Sequence, residues 1–285
     1  MRNTVLYISF ALLYGVAAAQ TQHGPPPVIR VYVEQVKPGK NAAHDKSESA
    51  FARSMARANY PAHYVALDSM AGSNEAWFVE AHNSFADMEK AEKASDAEPL
   101  RTEMGQAMSL DGEYLSGMRS LIGVYRSDLS YDPEGSPSLA KTRYMNVITT
   151  RIKMGTEQRL VSTVTDLIKI YKNVSKPQAV LVYQIISGAP SGTYVLFEPM
   201  RSVAEWDKYP EIMQSIRSTA AKKFDAIEKE FADFSVFEEG RLMSINPRMS
   251  YVSKETIAGD PDFWAPRPKP AAMPKKAPAP KQTGQ

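Results

Sequence analysis

The sequence predicts an α+β protein in which one βαββαβ unit occurs twice in tandem. The motif Val/Ile-Lys-x-Gly occurs at residues 36–39 and again at residues 152–155, 116 residues apart. Both copies follow the two-residue alternation of a strand and precede the apolar spacing of a helix. A second pair of matching segments, residues 80–88 and 198–206, lies 118 residues apart. Two matches at nearly the same offset favour duplication over chance repetition.

The first unit is predicted over residues 28–127. In its first strand, Ile29, Val31 and Val33 alternate with polar residues, which is typical of a strand with one apolar face. Helices are predicted where apolar and small residues recur three and four positions apart, and glycine or proline marks the turns. The remaining elements are a helix over 41–58, a hairpin of strands over 63–70 and 75–81, helices over 85–93 and 98–110, and a strand over 118–126.

The second unit is predicted over residues 142–245, after a turn-rich linker that contains two prolines. The change in offset from 116 to 118 places two extra residues in its hairpin loop, where an insertion is well tolerated. Residues 246–264 are expected to wrap over the surface. The elements of this unit are a strand over 143–151, a helix over 156–173, strands over 178–186 and 193–199, helices over 202–209 and 211–231, and a strand over 234–244.

Residues 1–19 have the pattern of a secretory signal peptide. Arg2 precedes an apolar run, and three alanines before Gln20 supply a cleavage site. The run is shorter than the ~20 residues that a membrane-spanning helix needs, so we expect an exported protein, periplasmic or extracellular. The sequence has no cysteine. This excludes disulfides, thiol nucleophiles and cysteine metal ligands, and stability must therefore come from a buried core.

The basic residues are distributed unevenly along the chain. The formal net charge is +2, but residues 265–285 contain five basic residues, six prolines and no acidic residue. Without those five and Arg2, 28 basic residues face 32 acidic ones, so the folded part is mildly acidic and no nucleic-acid partner is predicted. The Pro/Lys-rich tail is predicted to be disordered. It either keeps the protein soluble or attracts an anionic cell envelope.

The two units resemble the ferredoxin-like modules of the dimeric α/β-barrel superfamily. That group includes antibiotic-biosynthesis-monooxygenase-like, NIPSNAP-like, EthD-like and chlorite-dismutase-like domains. The resemblance covers about residues 28–244 and rests on the strand-Lys-x-Gly-helix segments and on the helix starts at 84–87 and 202–205. It implies that the two tandem ferredoxin-like units form an intramolecular pseudo-dimeric α/β barrel, as a monomer or within a higher homo-oligomer.

The resemblance and the strand alternation together predict which residues line the barrel. If helices cover the apolar strand face, the opposite face points into the barrel, where a small apolar or aromatic ligand would be held. Alternatively, these polar residues are solvated at the rim or paired with one another, as Arg30 and Glu34 could be. The predicted lining consists of Arg30, Tyr32, Glu34, Asp68, Phe78 and Glu80 in the first unit and Asn146, Ile148, Thr150, Gln184, Leu196 and Glu198 in the second.

The four histidines are predicted to be surface residues rather than metal ligands. His63 and His82 fall on neighbouring strands and should lie almost opposite each other. His44 shares a helix face with Glu48, but no third ligand is evident. No metal site and no cofactor are therefore predicted. The resemblance to chlorite dismutases implies an axial haem histidine in the second unit, which contains no histidine. The alternative haem ligands there are Tyr183, Tyr194 and Met200.

The sequence contains no nucleophile elbow, phosphate-binding loop or dinucleotide-binding fingerprint, and no catalytic residue is assigned. The leading hypothesis is an exported small-molecule-binding or sensing protein that holds its ligand inside the barrel. The resemblance implies an alternative, a cofactor-free monooxygenase-like enzyme acting on an aromatic or lipid-like substrate. A third hypothesis is a non-catalytic envelope-associated protein with a filled barrel. The candidate polar groups for an enzyme are Tyr32, Glu80, Asn146 and Glu198, with Trp77 or Trp206 packed nearby.

Overall fold

A computed structural model describes residues 24–134, 136–173 and 178–265. The predicted signal peptide and the predicted basic tail, apart from Ala265, lie outside these residues. The first half of the chain forms β1 (Val28–Val36), α1 (Asn41–Ala58), β2 (His63–Ser69), β3 (Glu75–His82), α2 (Phe85–Ser95), α3 (Leu100–Asp111) and β4 (Leu115–Tyr125). The second half forms β5 (Tyr144–Ile152), α4 (Glu157–Tyr171), β6 (Leu181–Ser187), β7 (Thr193–Met200), α5 (Tyr209–Phe234) and β8 (Ser235–Tyr251), followed by α6 (Lys254–Gly259) and α7 (Pro261–Trp264). None of the described helices is long and apolar enough to cross a membrane.

The eight strands form one closed antiparallel barrel in the order β1-β3-β2-β8-β5-β7-β6-β4. Within it, the strands of the first half are neighbours in the order β4-β1-β3-β2, and those of the second half in the order β8-β5-β7-β6. The halves join where β2 pairs with β8 and where β4 pairs with β6. Because closure pairs every strand on both sides, the sheet has no free edge.

The repeated Lys-x-Gly motif makes the same backbone contact in both halves. In the first half, the Lys37 amide donates a hydrogen bond to the Tyr114 carbonyl at 2.8 Å. In the second half, the Lys153 amide donates to the Phe234 carbonyl, also at 2.8 Å. Each bond ties the residue that follows the first strand of a half to the residue that precedes the last strand. The motif therefore sets the register of these two strands.

The lysine side chains of the motif also act alike. Lys37 Nζ donates to the Glu113 carbonyl at 2.9 Å, and Lys153 Nζ donates to the Asp233 carbonyl. Both carbonyls lie at the C-terminal end of a helical segment, where a cation is favourable. The glycines of the motif have positive φ angles of 78° and 81°, which a residue without a Cβ atom adopts at little steric cost. The side-chain contact with the helix end explains why lysine recurs, and the positive φ angle explains why glycine recurs.

An apolar core fills the interior of the barrel. All eight strands contribute side chains to this core. Only the inward face of a closed barrel brings side chains from all of its strands together. Ile29, Val31 and Val33 belong to this core and are at most 1% exposed. The prediction that helices cover the apolar face and that the polar face lines the barrel is therefore wrong. An eight-stranded barrel has an interior just wide enough for side chains, and the apolar rows occupy it. The other members are Leu67, Trp77, Leu121, Val147, Tyr183, Ile185, Val195, Phe197, Met243, Ile245 and Trp264.

Helices cover the opposite strand face in each half. In the first half, α1, α2 and α3 pack on the sheet through a cluster that includes Met55, Tyr64 and Phe78. In the second half, α4 and α5 pack on the sheet through a separate cluster that includes Leu160 and Phe234. Each half thus has its own layer between sheet and helices. The polar residues of β1, Arg30, Tyr32 and Glu34, lie in the layer of the first half instead of in the barrel.

The last strand is longer than predicted and changes the interpretation of residues 246–264. The end of β8 pairs with β2, where Asn246 lies beside Ala66. Pro247 interrupts the strand pattern in the sequence, but it falls in the irregular part of this pairing, where proline is tolerated. The predicted surface wrap therefore begins only after β8. At its end, Trp264 is 6% exposed and packs against the barrel core.

Candidate functional site

The polar strand residues of the first half line a cavity between the sheet and the helices. This first-half cavity has a volume of about 230 Å³. Its wall contains one arginine and four glutamates, Arg30, Glu34, Glu48, Glu80 and Glu92. The rest of the lining is mainly aromatic or methionine and includes Phe51, Met55, Tyr64, Phe78, Met104 and Met108.

Arg30 is at the centre of an ion-pair network on the cavity wall. Its guanidinium lies 3.1 Å from Glu80 Oε1 and 2.5 Å from Glu92 Oε2. His82 Nε2 lies 2.6 Å from the same Glu80 oxygen. Burial alone would lower the pKa of Arg30, but the two carboxylates raise it, so the guanidinium stays charged. Burial raises the pKa of Tyr32 to about 12, so its hydroxyl keeps its proton at neutral pH.

Glu34, His44, Glu48 and Asp111 form a second polar group, referred to below as the acid–histidine cluster. Glu34 lies on β1, His44 and Glu48 lie one turn apart on α1, and Asp111 is the last residue of α3. Each residue offers one nitrogen or oxygen atom, and these four atoms all lie within 4.8 Å of one another. Glu34, His44 and Asp111 are 8%, 2% and 3% exposed. The cluster shares Glu34 and Glu48 with the first-half cavity.

The two ring nitrogens of His44 have different surroundings. Nδ1 lies 3.1 Å from both carboxylate oxygens of Asp111. Nε2 lies 3.7 Å from Glu34 Oε2, and no described residue forms a hydrogen bond with either of these two atoms. Because an ionised carboxylate only accepts hydrogen bonds, we assign the proton to Nδ1. In the neutral imidazole, this leaves a lone pair on Nε2.

The acid–histidine cluster holds more acid than its one imidazole can neutralise. Burial raises the pKa of Glu34 to about 7; His44 opposes this shift and Asp111 adds to it. Burial, together with Glu34 and Asp111, raises the pKa of Glu48 well above its usual value. Burial lowers the pKa of His44, but the Asp111 carboxylate and Glu34 outweigh it and the net shift is upward.

The corresponding layer of the second half contains a cavity of about 340 Å³ with a mostly apolar wall. Three of the predicted residues, Ile148, Thr150 and Leu196, line this second-half cavity. Thr150 Oγ1 donates to the Phe237 carbonyl at 3.1 Å. Other residues of the wall include Leu160, Val164, Leu167, Tyr194, Phe231 and Phe234.

Three other predicted residues of the second half form hydrogen bonds and do not line this cavity. Asn146 Nδ2 donates to Glu198 Oε2 at 2.7 Å. Gln184 Oε1 accepts a hydrogen bond from Arg126 at 2.8 Å. Burial raises the pKa of Glu198, and the hydrogen bond from Asn146 opposes this shift. These polar groups are satisfied within the protein.

The structure brings together five of the six residues that were predicted to form the first-half site. Arg30, Tyr32, Glu34, Phe78 and Glu80 all line the first-half cavity, although this cavity lies outside the barrel. Asp68 is separate: its carboxylate accepts a hydrogen bond from Asn246 Nδ2 at 2.7 Å. The strand alternation thus predicted that these five residues share one face of the sheet, and it assigned that face to the wrong side.

The prediction of surface histidines is wrong for two of the three that the structure describes. His44 is 2% exposed and His82 is 3% exposed. His63 pairs with Ala81 rather than with His82, so the side chains of His63 and His82 point to opposite faces of the sheet. His23 lies outside the described residues.

Sequence reasoning missed the partners of His44. The helix spacing of His44 and Glu48 was visible, but Asp111 is 67 residues away from His44 in the chain and no local pattern connects them. Glu34 was placed on the inward face of the barrel, away from α1. Packing of α1 and α3 on β1 brings all four residues together.

The second half does not provide the axial haem ligand that the resemblance to chlorite dismutases implied. Tyr183 lies in the barrel core, and its hydroxyl donates to the Pro26 carbonyl at 3.1 Å. Tyr194 lies on the opposite face and lines the second-half cavity. Met200 is fully buried and is not part of that wall. Because these side chains do not converge, the described residues do not fit a haem there.

No family model and no curated protein matches the sequence. Solved structures match the fold. An anthrone oxidase-like protein has a TM-score of 0.54 at 12% identity, over 80% of this chain and 94% of that chain. A provisionally assigned monooxygenase from Fusobacterium nucleatum subsp. nucleatum has a TM-score of 0.53 at 10% identity, over 78% of this chain and 93% of that chain. At these identities the similarity shows the fold alone, a closed antiparallel barrel with helices packed on its outer face.

Proposed function

We propose that the protein binds a small molecule with an aromatic or apolar body and hydroxyl groups in the first-half cavity. Aromatic and methionine side chains of the wall suit the body of such a ligand. Arg30 is already matched by Glu80 and Glu92, and carboxyl groups outnumber basic groups along the wall. A neutral ligand that donates hydrogen bonds therefore suits the cavity better than an anion.

One observation carries this proposal: buried polar side chains face a cavity instead of a packed core. Glu34 Oε2 has no hydrogen-bond partner among the described residues, although Glu34 is 8% exposed and lines the cavity. A buried polar atom without a partner is unfavourable by about 1–3 kcal/mol. A ligand hydroxyl at this position would supply the missing partner.

Calorimetric titration with 1-naphthol and 1-naphthoate tests the proposal, because the two probes share a ring system and differ in charge. We expect 1-naphthol to bind more tightly than 1-naphthoate. Glu80→Gln should weaken 1-naphthol binding, whereas Glu198→Gln, at the corresponding position of the second half, should not. Tighter binding of 1-naphthoate, or equal losses in both variants, would count against this cavity and this ligand class.

A second candidate function, a cofactor-free oxygenase, is favoured by the state of Glu34. Its carboxyl lines the cavity and its pKa is raised to about 7 by burial, which suits a general base at neutral pH. The base would remove a proton from an anthrone-type or phenolic substrate, and the resulting electron-rich anion would react with O₂. Trp77 lies in the barrel core and Trp206 is 37% exposed, so neither packs against such a substrate.

Oxygen uptake with anthrone, measured in the presence of a chelator, tests this candidate. Uptake should be lost in Glu34→Gln and retained in Glu198→Gln, whose carboxyl is hydrogen-bonded to Asn146 in the other half. Uptake that persists in Glu34→Gln would exclude Glu34 as the base.

The export, the envelope contact and the tandem origin belong to the proposal as well. We propose that residues 1–19 direct export, that the basic tail contacts an anionic envelope, and that the chain is a fusion of two ferredoxin-like copies. The matching strand orders and Lys-x-Gly contacts support the fusion. N-terminal sequencing of the protein from its source should begin near Gln20, and native mass spectrometry reports the number of chains and any bound ligand.

A further inference from the structure

We propose that the acid–histidine cluster binds one divalent transition-metal ion through His44 Nε2, Glu34 and Glu48, with Asp111 as a positioning residue for the imidazole. This site involves the same cavity wall as the proposed ligand, but binding of the ion itself does not depend on the organic ligand. Three independent features of the cluster support it: the spacing of its donor atoms, its unpartnered atoms and its charge.

The donor atoms are nearly at the spacing that an ion imposes. Zinc lies about 2.0–2.2 Å from imidazole nitrogen and carboxylate oxygen, so two ligand atoms on one tetrahedral ion are roughly 3.3–3.6 Å apart. His44 Nε2 and Glu34 Oε2, two of the three proposed ligand atoms, are 3.7 Å apart, and one nitrogen or oxygen atom from each of the four cluster residues lies within 4.8 Å of the others. Small side-chain shifts would complete the site. The i and i+4 positions of His44 and Glu48 place both donors on one helix face.

The unpartnered atoms point to the same place. His44 is 2% exposed, and neither its Nε2 atom nor Glu34 Oε2 has a hydrogen-bond partner among the described residues. Buried polar atoms are almost always satisfied, and these two face each other. A metal ion would satisfy both atoms at once.

The charge of the cluster also favours a cation. Three carboxyl groups surround one imidazole, and among the described residues no lysine or arginine forms an ion pair with any of the three. Arg30, the closest basic residue on the same strand face, is occupied by Glu80 and Glu92. Three carboxyl groups in one buried cluster cannot all ionise unless a cation is present. A divalent ion supplies the missing positive charge.

Asp111 has the role of a carboxylate that fixes a metal-binding histidine. Its two oxygens lie 3.1 Å from His44 Nδ1, which holds the ring in place and directs the Nε2 lone pair towards Glu34. One imidazole cannot place both nitrogens on a single ion, so Asp111 acts through His44. The resulting set of one nitrogen and two carboxylates suits Zn²⁺, Mn²⁺ or Fe²⁺ better than Mg²⁺ or Ca²⁺, which prefer oxygen ligands alone.

An ion at this position would also complete the ligand site. Glu34 and Glu48 line the first-half cavity, so the coordination positions that they leave open would face the cavity. A ligand hydroxyl or a water molecule could bind there. This last step rests on the proposed function, and an ion would leave Glu34 unable to act as the base of a cofactor-free oxygenase.

Titration of the chelator-treated full chain with Zn²⁺ and Mn²⁺, by calorimetry without any organic ligand, tests the site. We expect one ion per chain. His44→Gln and Glu34→Gln should lower the affinity at least about 100-fold, and Asp111→Asn should lower it about 10–100-fold. Matched controls are His63→Gln, a histidine outside the cluster, and Glu198→Gln, a carboxyl buried in the other half; both should bind as the parent protein does.

Co²⁺ provides a spectroscopic readout that a merely structural role of Asp111 would not change. Asp111→Asn should shift the visible absorption of bound Co²⁺, whereas His44→Gln should abolish it. If circular dichroism shows that His44→Gln is unfolded, the metal affinity of Glu48→Gln tests the site instead. Glu48 is only half-buried, so this variant should fold. Absence of stoichiometric binding, or unchanged affinity in Glu34→Gln and Glu48→Gln, would overturn the proposal and leave a cluster that holds protons only.

Discussion

The two halves of the barrel share one backbone arrangement but differ in the side chains of the layer between sheet and helices. The Lys-x-Gly contacts align the halves at an offset of 116 residues through the first strand and helix, and the carbonyls of Tyr114 and Phe234 align the last strand at an offset of 120. At the positions of the acid–histidine cluster, the second half has uncharged residues that line its apolar cavity. In order, Glu34, His44, Glu48 and Asp111 correspond to Thr150, Leu160, Val164 and Phe231.

This difference shows that the fold alone does not determine the chemistry of the layer between sheet and helices. The same four backbone positions hold three carboxyl groups and an imidazole in one half and a hydroxyl and three apolar side chains in the other. The barrel core and the Lys-x-Gly contacts are common to both halves. Function must therefore be argued from the side chains of the first half.

The largest effect on stability should come from His44→Leu. This substitution gives the first half the residue type that the second half has at the corresponding position, Leu160. Without its imidazole, Asp111 would be a buried carboxylate with no partner, and the free energy of unfolding of the metal-free protein should fall by about 3–5 kcal/mol. Urea denaturation in the presence of a chelator measures this. The double variant His44→Leu/Asp111→Leu should recover most of the loss, and a double variant as unstable as the single one would show that His44 acts by packing instead.

A second test removes an apolar side chain from the corresponding position of the second half. Leu160 is 6% exposed, so Leu160→Ala should lower the free energy of unfolding by about 2–4 kcal/mol through lost contacts and an enlarged cavity. Zn²⁺ affinity should not change, because the residue lies in the other half. A parallel loss of Zn²⁺ affinity would mean that the two layers are coupled.

A smaller loss of stability, equal in the two halves, is expected at the lysines of the repeated motif. Lys37→Met and Lys153→Met each remove a cation from the end of a helical segment, and each should lower the free energy of unfolding by about 0.3–1 kcal/mol. Thermal unfolding of the two variants side by side measures this. Clearly unequal shifts in Tm would show that the repeated motif does not have one shared role.

The smallest effect concerns the pH dependence of Glu198. Burial raises its pKa in the folded protein above that of the unfolded chain, so the folded state holds this proton more tightly. Its contribution to stability is therefore present at low pH and is lost as the pH rises through the folded pKa. Stability measured at pH 5 and at pH 8 should differ less in Glu198→Gln than in the parent protein. An unchanged difference would indicate that Glu198 is solvated.

The sequence was sufficient for the order of strands and helices because apolar periodicity and turn residues are local signals. It was misleading about the two faces of β1. The rule that helices cover the apolar face assumes an open, solvated opposite face, whereas both faces of this barrel are buried. Arg30 occurs on the helix side because its ion pairs with Glu80 and Glu92 compensate its burial, and Glu34 occurs there because it faces a cavity instead of a packed core.

The acid–histidine cluster could be predicted only in part. His44 and Glu48 share a helix face by spacing alone, and Glu34 precedes them on a recognisable strand. The approach of Asp111 depends on how α3 packs beside α1, which no local pattern encodes. The end of β8 was missed for a similar reason, since Pro247 resembles a strand terminator until the irregular pairing with β2 is known.

Anomalous diffraction from crystals soaked with Mn²⁺ tests the difference between the halves most directly. We expect one anomalous peak per chain, between His44 Nε2 and the carboxylates of Glu34 and Glu48, and none among Thr150, Leu160 and Val164. A soaked crystal with no peak in the first half, or with its peak elsewhere on the chain, would contradict the assignment of a metal site to the acid–histidine cluster.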